Sequence, residues 1–144
     1  MNIAITYDYE LFFGDITGSA EKCILQPTQD LIEISKATNA KFTFFIDVGY
    51  LKKLSEFKNE FEELRKDYTN ICTQITALIG QGHACELHIH PHWEDSYYVD
   101  GKWNMVVDRY KLSDFSKAEA VKIIQEYYTI LNAITGTKPT SYRA

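Results

Sequence analysis

Three of the chain's four histidines fall within five residues, in Glu86-Leu87-His88-Ile89-His90-Pro91-His92-Trp93. Neutral imidazole is the commonest protein ligand for a borderline-soft cation such as Zn²⁺, so this stretch reads as half of a metal site. Pro91 biases His90 towards an extended backbone and itself suits the first turn of the next segment, which makes a strand-to-turn junction. Across that bend His88 and His92 can converge on one point, and this pair is preferred; a backbone extended throughout would instead bring His88 and His90 to one face. Packing of clustered histidines at a turn is the competing reading.

A second group of chemical residues lies near the start. Asp8-Tyr9-Glu10 follows the apolar run Ile3-Ala4-Ile5-Thr6-Tyr7. Acids at i and i+2 on an extended backbone point to the same side. Either one alone reads as a solvated loop carboxylate or a helix cap. Together at the C-terminal end of a strand they stand where α/β folds keep their chemistry.

The intervening elements must bring the two groups together. Ile3 to Tyr7 predicts a first strand, and Gly14 to Gly18 a loop. Pro27 suits the first turn of a helix running to about Thr38, with Leu31, Ile34 and Ala37 on its inner face. Phe42-Thr43-Phe44-Phe45-Ile46 is apolar throughout, as a strand of a parallel sheet buried on both faces would be. A long helical stretch comes next, with Leu54, Phe57, Phe61, Leu64, Tyr68, Ile71, Ile75 and Leu78 forming one stripe; it is closed by Gly80 and Gly82. That stripe is read as packing on a sheet rather than as an oligomerisation seam.

His83 to His88 predicts the third strand. Tyr97 to Val99 and Trp103 to Val106, joined by Asp100-Gly101, predict a hairpin with a type I′ turn. Ser116 with Glu119 makes a capping box for a helix ending at Gly136. Thr140 to Arg143 then begins a fourth strand. Alternating β and α elements imply a parallel sheet, and parallel strands deliver Asp8, Glu10 and the histidines to the same end.

The 144 residues fit one domain, 1–144, with 45% hydrophobic and 24% charged residues, an ordinary globular composition. A net charge of −5 without a basic run makes nucleic acid an unexpected partner. No apolar stretch is long enough to span a membrane, and Asp8 comes too early for the apolar region of a signal peptide, so a cytoplasmic location is expected. Cys23, Cys72 and Cys85 are odd in number and widely spaced, which fits reduced thiols.

In this order, and along nearly the whole chain, the motifs resemble the polysaccharide deacetylases, the NodB-like family of metal-dependent carbohydrate esterases. The residues that carry the resemblance are Thr6-Tyr7-Asp8-Tyr9-Glu10, Ala40-Lys41-Phe42-Thr43-Phe44-Phe45, Gly82-His83 through His88 and His92, and Ser141-Tyr142-Arg143-Ala144. The resemblance implies a distorted (β/α) barrel, a divalent metal, most commonly zinc, and removal of acetyl groups from N- or O-acetylated sugars. It casts Asp8 as catalytic base, Arg143 as the residue that orients it, and Glu10, His88 and His92 as metal ligands.

Two departures stand out. Tyr9 occupies the place of the family's usual metal-binding aspartate, which moves that role to Glu10, with Asp8 as the fallback. The family's later strands and general-acid histidine have no counterpart here, so the barrel is incomplete in this chain and the protein is expected to continue past Ala144.

Two histidines and a carboxylate would leave coordination positions open for water and substrate, the pattern of catalytic zinc. Asp8 would be held ionised by Arg143. His83 and His90 read as structural, and Trp93, Tyr97, Tyr98 and Trp103 as packing aromatics more than sugar platforms. Hydrolysis of another carbon–nitrogen bond on the same site is the related alternative. A non-catalytic module binding glycan or metal is the alternative from a different class.

Overall fold

In a computed structural model the protein is described over residues 3–12 and 18–144. The predicted loop positions 14–17 lie outside these residues. Four parallel strands, β1 (Thr6–Tyr9), β2 (Thr43–Asp47), β3 (Ala84–His88) and β6 (Tyr142–Arg143), form one sheet in the order β1-β2-β3-β6. Strands therefore sit side by side in the order in which the chain makes them. The helices between them are α1 (Gln26–Thr38), α2 (Val48–Phe57), α3 (Glu62–Gly80) and α4 (Lys117–Thr135).

The register sorts the side chains into two faces. Tyr7, Phe44 and Cys85 are aligned, as are Tyr9, Ile46 and Leu87, and all but Tyr7 are buried. This is the face under the helices: the Tyr9 hydroxyl donates to Gln74 on α3 at 2.9 Å. Because alternate residues point oppositely, the other face carries Asp8, Phe45 and Glu86 in one row and Asp47, His88 and Arg143 in the next. The sheet is thus apolar towards its helices and strongly polar on its far side, at the C-terminal ends of its strands.

Several elements differ from expectation, each for a local reason. The first strand pairs over Thr6–Tyr9, and Ile3 and Ile5 are exposed. The helical path before α1 starts upstream of Pro27, with a wide i→i+5 turn at Glu21–Leu25. Such a widening relieves the clash of the Pro27 ring with the carbonyl four residues back. The inner face of α1 is Thr28, Ile32 and Ser35, with Ile34 exposed.

The single long helix is instead two, α2 and α3. Phe61 between them is extended (φ −123°, ψ 120°), so Phe57 packs edge-on to Trp103 and Phe61 edge-on to Tyr98 of the hairpin. Tertiary packing here overrides a continuous helical stripe.

The hairpin β4 (Tyr97–Val99) and β5 (Lys102–Asn104) forms with the predicted turn, Asp100 and Gly101 both at positive φ as type I′ requires, but its second strand starts one residue earlier than expected and ends at Asn104 rather than Val106. The capping box also forms: the Glu119 N–H donates to Ser116 Oγ, and the Ser116 N–H to the Glu119 carboxylate.

His83 is buried and structural. Its Nδ1 accepts the Phe42 N–H at 3.1 Å, and its Nε2 lies 3.3 Å from Ser35 Oγ, which itself donates to the Ala40 carbonyl. This clamps α1 to the start of β2. A ring that accepts at Nδ1 must be neutral. Burial, with the Lys41 charge second, accordingly lowers its pKa. A folded-state pKa below the unfolded value near 6.5 means that this contribution to stability is whole above pH 6.5 and declines as pH falls through it. His83→Asn, whose Oδ1 can take over the Nδ1 acceptor role, is expected to lose less stability between pH 7.5 and pH 5.5 than the unaltered chain, measured by urea unfolding. An equal loss would place the acid sensitivity elsewhere.

Candidate metal and hydrolytic site

Glu10 follows β1 directly, and His88 ends β3. Beyond β3 the backbone stays extended through His90 (φ −112°, ψ 91°), and a 3₁₀ turn over Pro91–Glu94 begins only after it. His88 and His90, two apart on extended chain, therefore face the same side.

The ligand atoms converge. His90 Nε2 lies 2.7 Å from Glu10 Oε2, His88 Nε2 lies 3.2 Å from the same oxygen, and the two Nε2 atoms are 2.9 Å apart. Among the described residues Glu10, His88 and His90 form the group able to hold a metal ion. His92, preferred over His90 from sequence, is outside this group. The turn at Pro91 carries it to a fully buried position, where its ring stacks on Tyr110 at 5.4 Å and lies 5.5 Å from that of His90. The bend thus falls one residue too late to pair His88 with His92.

The donor set fits a cation on chemical grounds. His88 Nδ1 lies 3.2 Å from the Arg143 carbonyl, which can only accept, so the proton of a neutral ring belongs on Nδ1. Nε2 then presents a lone pair to a carboxylate oxygen and to a second imidazole nitrogen. A carboxylate oxygen and two imidazole nitrogens within 2.7–3.2 Å of one another favour positive charge between them, from a proton or from a cation. A divalent ion supplies it, and a carbonyl holding the remote imidazole nitrogen is the usual support of a metal-binding histidine. Ligand-to-ligand edges in tetrahedral zinc sites are about 3.3 Å, so the three atoms need part by only a few tenths of an ångström.

Protons meet the same need, and the ionisation of the group reflects it. Burial, the largest single influence on Glu10, would raise its pKa, but the hydrogen bonds and charges of His88 and His90 bring it down to about 2. For His88 burial pulls downward, yet the hydrogen bond and charge of Glu10, the charge of Asp47 and the Arg143 carbonyl raise it. His92 is pushed down to about 4 by burial first and the charge of His90 second.

Beside the group lies an ion pair. Arg143 reaches back across the sheet face, its guanidinium 4.3 Å above the Phe45 ring, and donates to Asp8 at 2.5 Å and to Thr6 Oγ1 at 2.9 Å. Glu86 sets the strand that carries it: its carboxylate accepts the Thr140 and Ser141 N–H groups at 2.7 and 2.8 Å. Asp8 and Arg143, paired in the sequence reading, are thus in contact and a little over one-third exposed.

The turn beyond His90 is held by Trp93 together with residues that the sequence reading did not single out, among them Asp47, Lys52 and Glu94. The Trp93 indole N–H donates to Asp47 at 2.6 Å. Lys52 and the Tyr127 hydroxyl grip the Glu94 carboxylate at 2.6 and 3.0 Å, and Lys53 donates to the Glu94 carbonyl. Trp93 is wholly buried against Tyr50 and Trp103, and Tyr98 and Trp103 of the hairpin pack against the core, while Tyr97 is exposed. Gly49 allows this close approach: a Cβ there would stand 2.7 Å from both Trp93 Cδ1 and the Tyr127 hydroxyl.

Asp47 is the most informative of these residues. It is 2% exposed, caps α2 by accepting the Tyr50 N–H, and has its pKa raised to about 6 by burial, against the opposing charge of His90 and the Trp93 bond. A signal for it existed: like Asp8, it is the first acid after an apolar strand.

The comparisons place no known protein beside this arrangement: the chain matches no family model, no curated protein and no solved structure. The fold is mixed α/β with a parallel four-stranded sheet, and among the described residues no helix is long and apolar enough to cross a membrane.

Proposed function

We propose that the protein is a metal-dependent hydrolase of the polysaccharide deacetylase type, removing acetyl groups from an N- or O-acetylated saccharide. The observation that carries this reading is the convergence of Glu10, His88 and His90 beside the Asp8–Arg143 pair, on one sheet face at the strand ends. Strand order that follows chain order supports the barrel architecture of that class, since doubly wound sheets reverse their order at a switch point.

Glu10, His88 and His90 would hold the ion, leaving coordination positions for water and for the acetyl oxygen. A divalent ion bound there supplies acidification of water and polarisation of the carbonyl. Asp8 takes the proton from the attacking water, and its partial exposure keeps it within reach of solvent and substrate. Arg143 fixes the position of the Asp8 carboxylate by a charge-assisted hydrogen bond, while its stack on Phe45 restricts the guanidinium to that place. The Thr6 hydroxyl takes up a second donor of the guanidinium.

Acetate release is the direct test. Zinc-loaded protein should liberate acetate from N-acetylglucosamine oligomers or from a chromogenic acetyl ester, and chelation should stop it. Absence of zinc-dependent release across such a panel, from protein shown to bind zinc, would count against the reading.

A further inference from the structure

We infer that Asp47 is an outer-sphere carboxylate of the cation site, providing a second buried negative charge that raises the site's affinity for a divalent ion. The inference rests on the cation-binding reading of Glu10, His88 and His90 and extends it to a residue outside that group.

Asp47 is the register partner of His88 on the adjacent strand, so the two side chains leave the same face of the sheet about 4.8 Å apart at the backbone. Its surroundings suit an anion. One carboxylate oxygen accepts the Tyr50 N–H at the N-terminus of α2, and the other accepts the Trp93 indole N–H at 2.6 Å. Among the described residues no lysine or arginine is paired with it.

A buried carboxylate without a cation is costly, and the charges that act on this one with opposite sign are those of His90 and His88. Glu10 alone would leave a divalent ion only half neutralised. Glu10 and Asp47 together bring two negative charges to an ion of charge two. An N-cap alone would need neither full burial nor a place beside the histidines; serine or threonine would serve.

Zinc titration calorimetry on the unaltered chain, Asp47→Asn and Trp93→Phe, with thermal melts to confirm folding, tests the inference. Asp47→Asn removes the charge but keeps one oxygen able to accept the Trp93 N–H, whereas Trp93→Phe removes that bond and keeps the charge. Asp47→Asn is expected to bind zinc about 10- to 100-fold more weakly, the usual effect of losing an outer-sphere partner. Trp93→Phe is expected to bind close to the unaltered chain. Equal weakening in both would show that Asp47 only holds Trp93 in place, and unchanged affinity in Asp47→Asn would remove any role; either overturns the inference. Should Asp47→Asn fail to fold, Asp47→Ser, which keeps an N-cap oxygen for the Tyr50 N–H but no charge, takes its place: affinity weakened about tenfold or more supports the charge, and unchanged affinity overturns it. An unaltered chain that binds no zinc would defeat the cation reading itself, an outcome distinct from all of these.

Discussion

Replacing either Glu10 or His88 with alanine is expected to abolish zinc binding at micromolar metal and, with it, hydrolysis. Structural four-ligand zinc sites bind with roughly 10–16 kcal/mol, or about 2.5–4 kcal/mol per ligand, so one lost ligand weakens affinity by about 10²–10³. His90→Ala should fall in the same range. His92→Ala should keep the three ligands and instead lose stability, because a fully buried ring stacked on Tyr110 leaves a cavity. Calorimetric titration with zinc separates the two classes. Loss of binding in His92→Ala with retention in His90→Ala would reverse the assignment.

The second large effect is expected at Asp8. Asp8→Asn removes the carboxylate proposed as the base yet keeps a side chain able to meet Arg143, and should lower kcat by about 10²–10⁴. Zinc affinity should stay near that of the unaltered chain, because Asp8 is outside the ligand group. Arg143→Lys loses the planar fork that holds Asp8 and Thr6 together, so a smaller fall in kcat is expected. Parallel measurement of acetate release and zinc binding distinguishes a proton-transfer residue from a metal ligand. A drop in zinc affinity for Asp8→Asn as large as that of Glu10→Ala would contradict this division.

Much of the fold is legible in the sequence because its determinants are local. The Asp100-Gly101 turn, the Ser116/Glu119 capping box and the alternation of apolar strands with helices each arise from backbone chemistry within a few residues. So does the i, i+2 relation that places Asp8 and Glu10 on one side. The approach of Arg143 to Asp8 is the one that the family resemblance implies.

The rest depends on distant contacts. The choice between His90 and His92 turns on where the chain bends: Pro91 starts the turn, but only pairing along the whole of β3 keeps the backbone extended as far as His90. The stripe from Leu54 to Leu78 gives no sign of its break at Phe61, which is settled by hairpin aromatics some 40 residues later. The inner face of α1 departs from the apolar pattern because Ser35, a polar residue, is buried to meet His83 and the Ala40 carbonyl. Asp47 looks in the sequence like the mere end of an apolar strand, and its place beside His88 exists only in the assembled sheet.

The central proposal is that Glu10, just after the first strand, and the imidazoles of His88 and His90, at and just beyond the end of the third, surround one cation. Anomalous diffraction at the zinc edge from crystals grown with zinc tests it most directly. The account predicts a single peak about 2.0–2.2 Å from a Glu10 carboxylate oxygen and from Nε2 of both His88 and His90. No peak there, or a peak bound by other residues with Glu10 outside coordination distance, would contradict it.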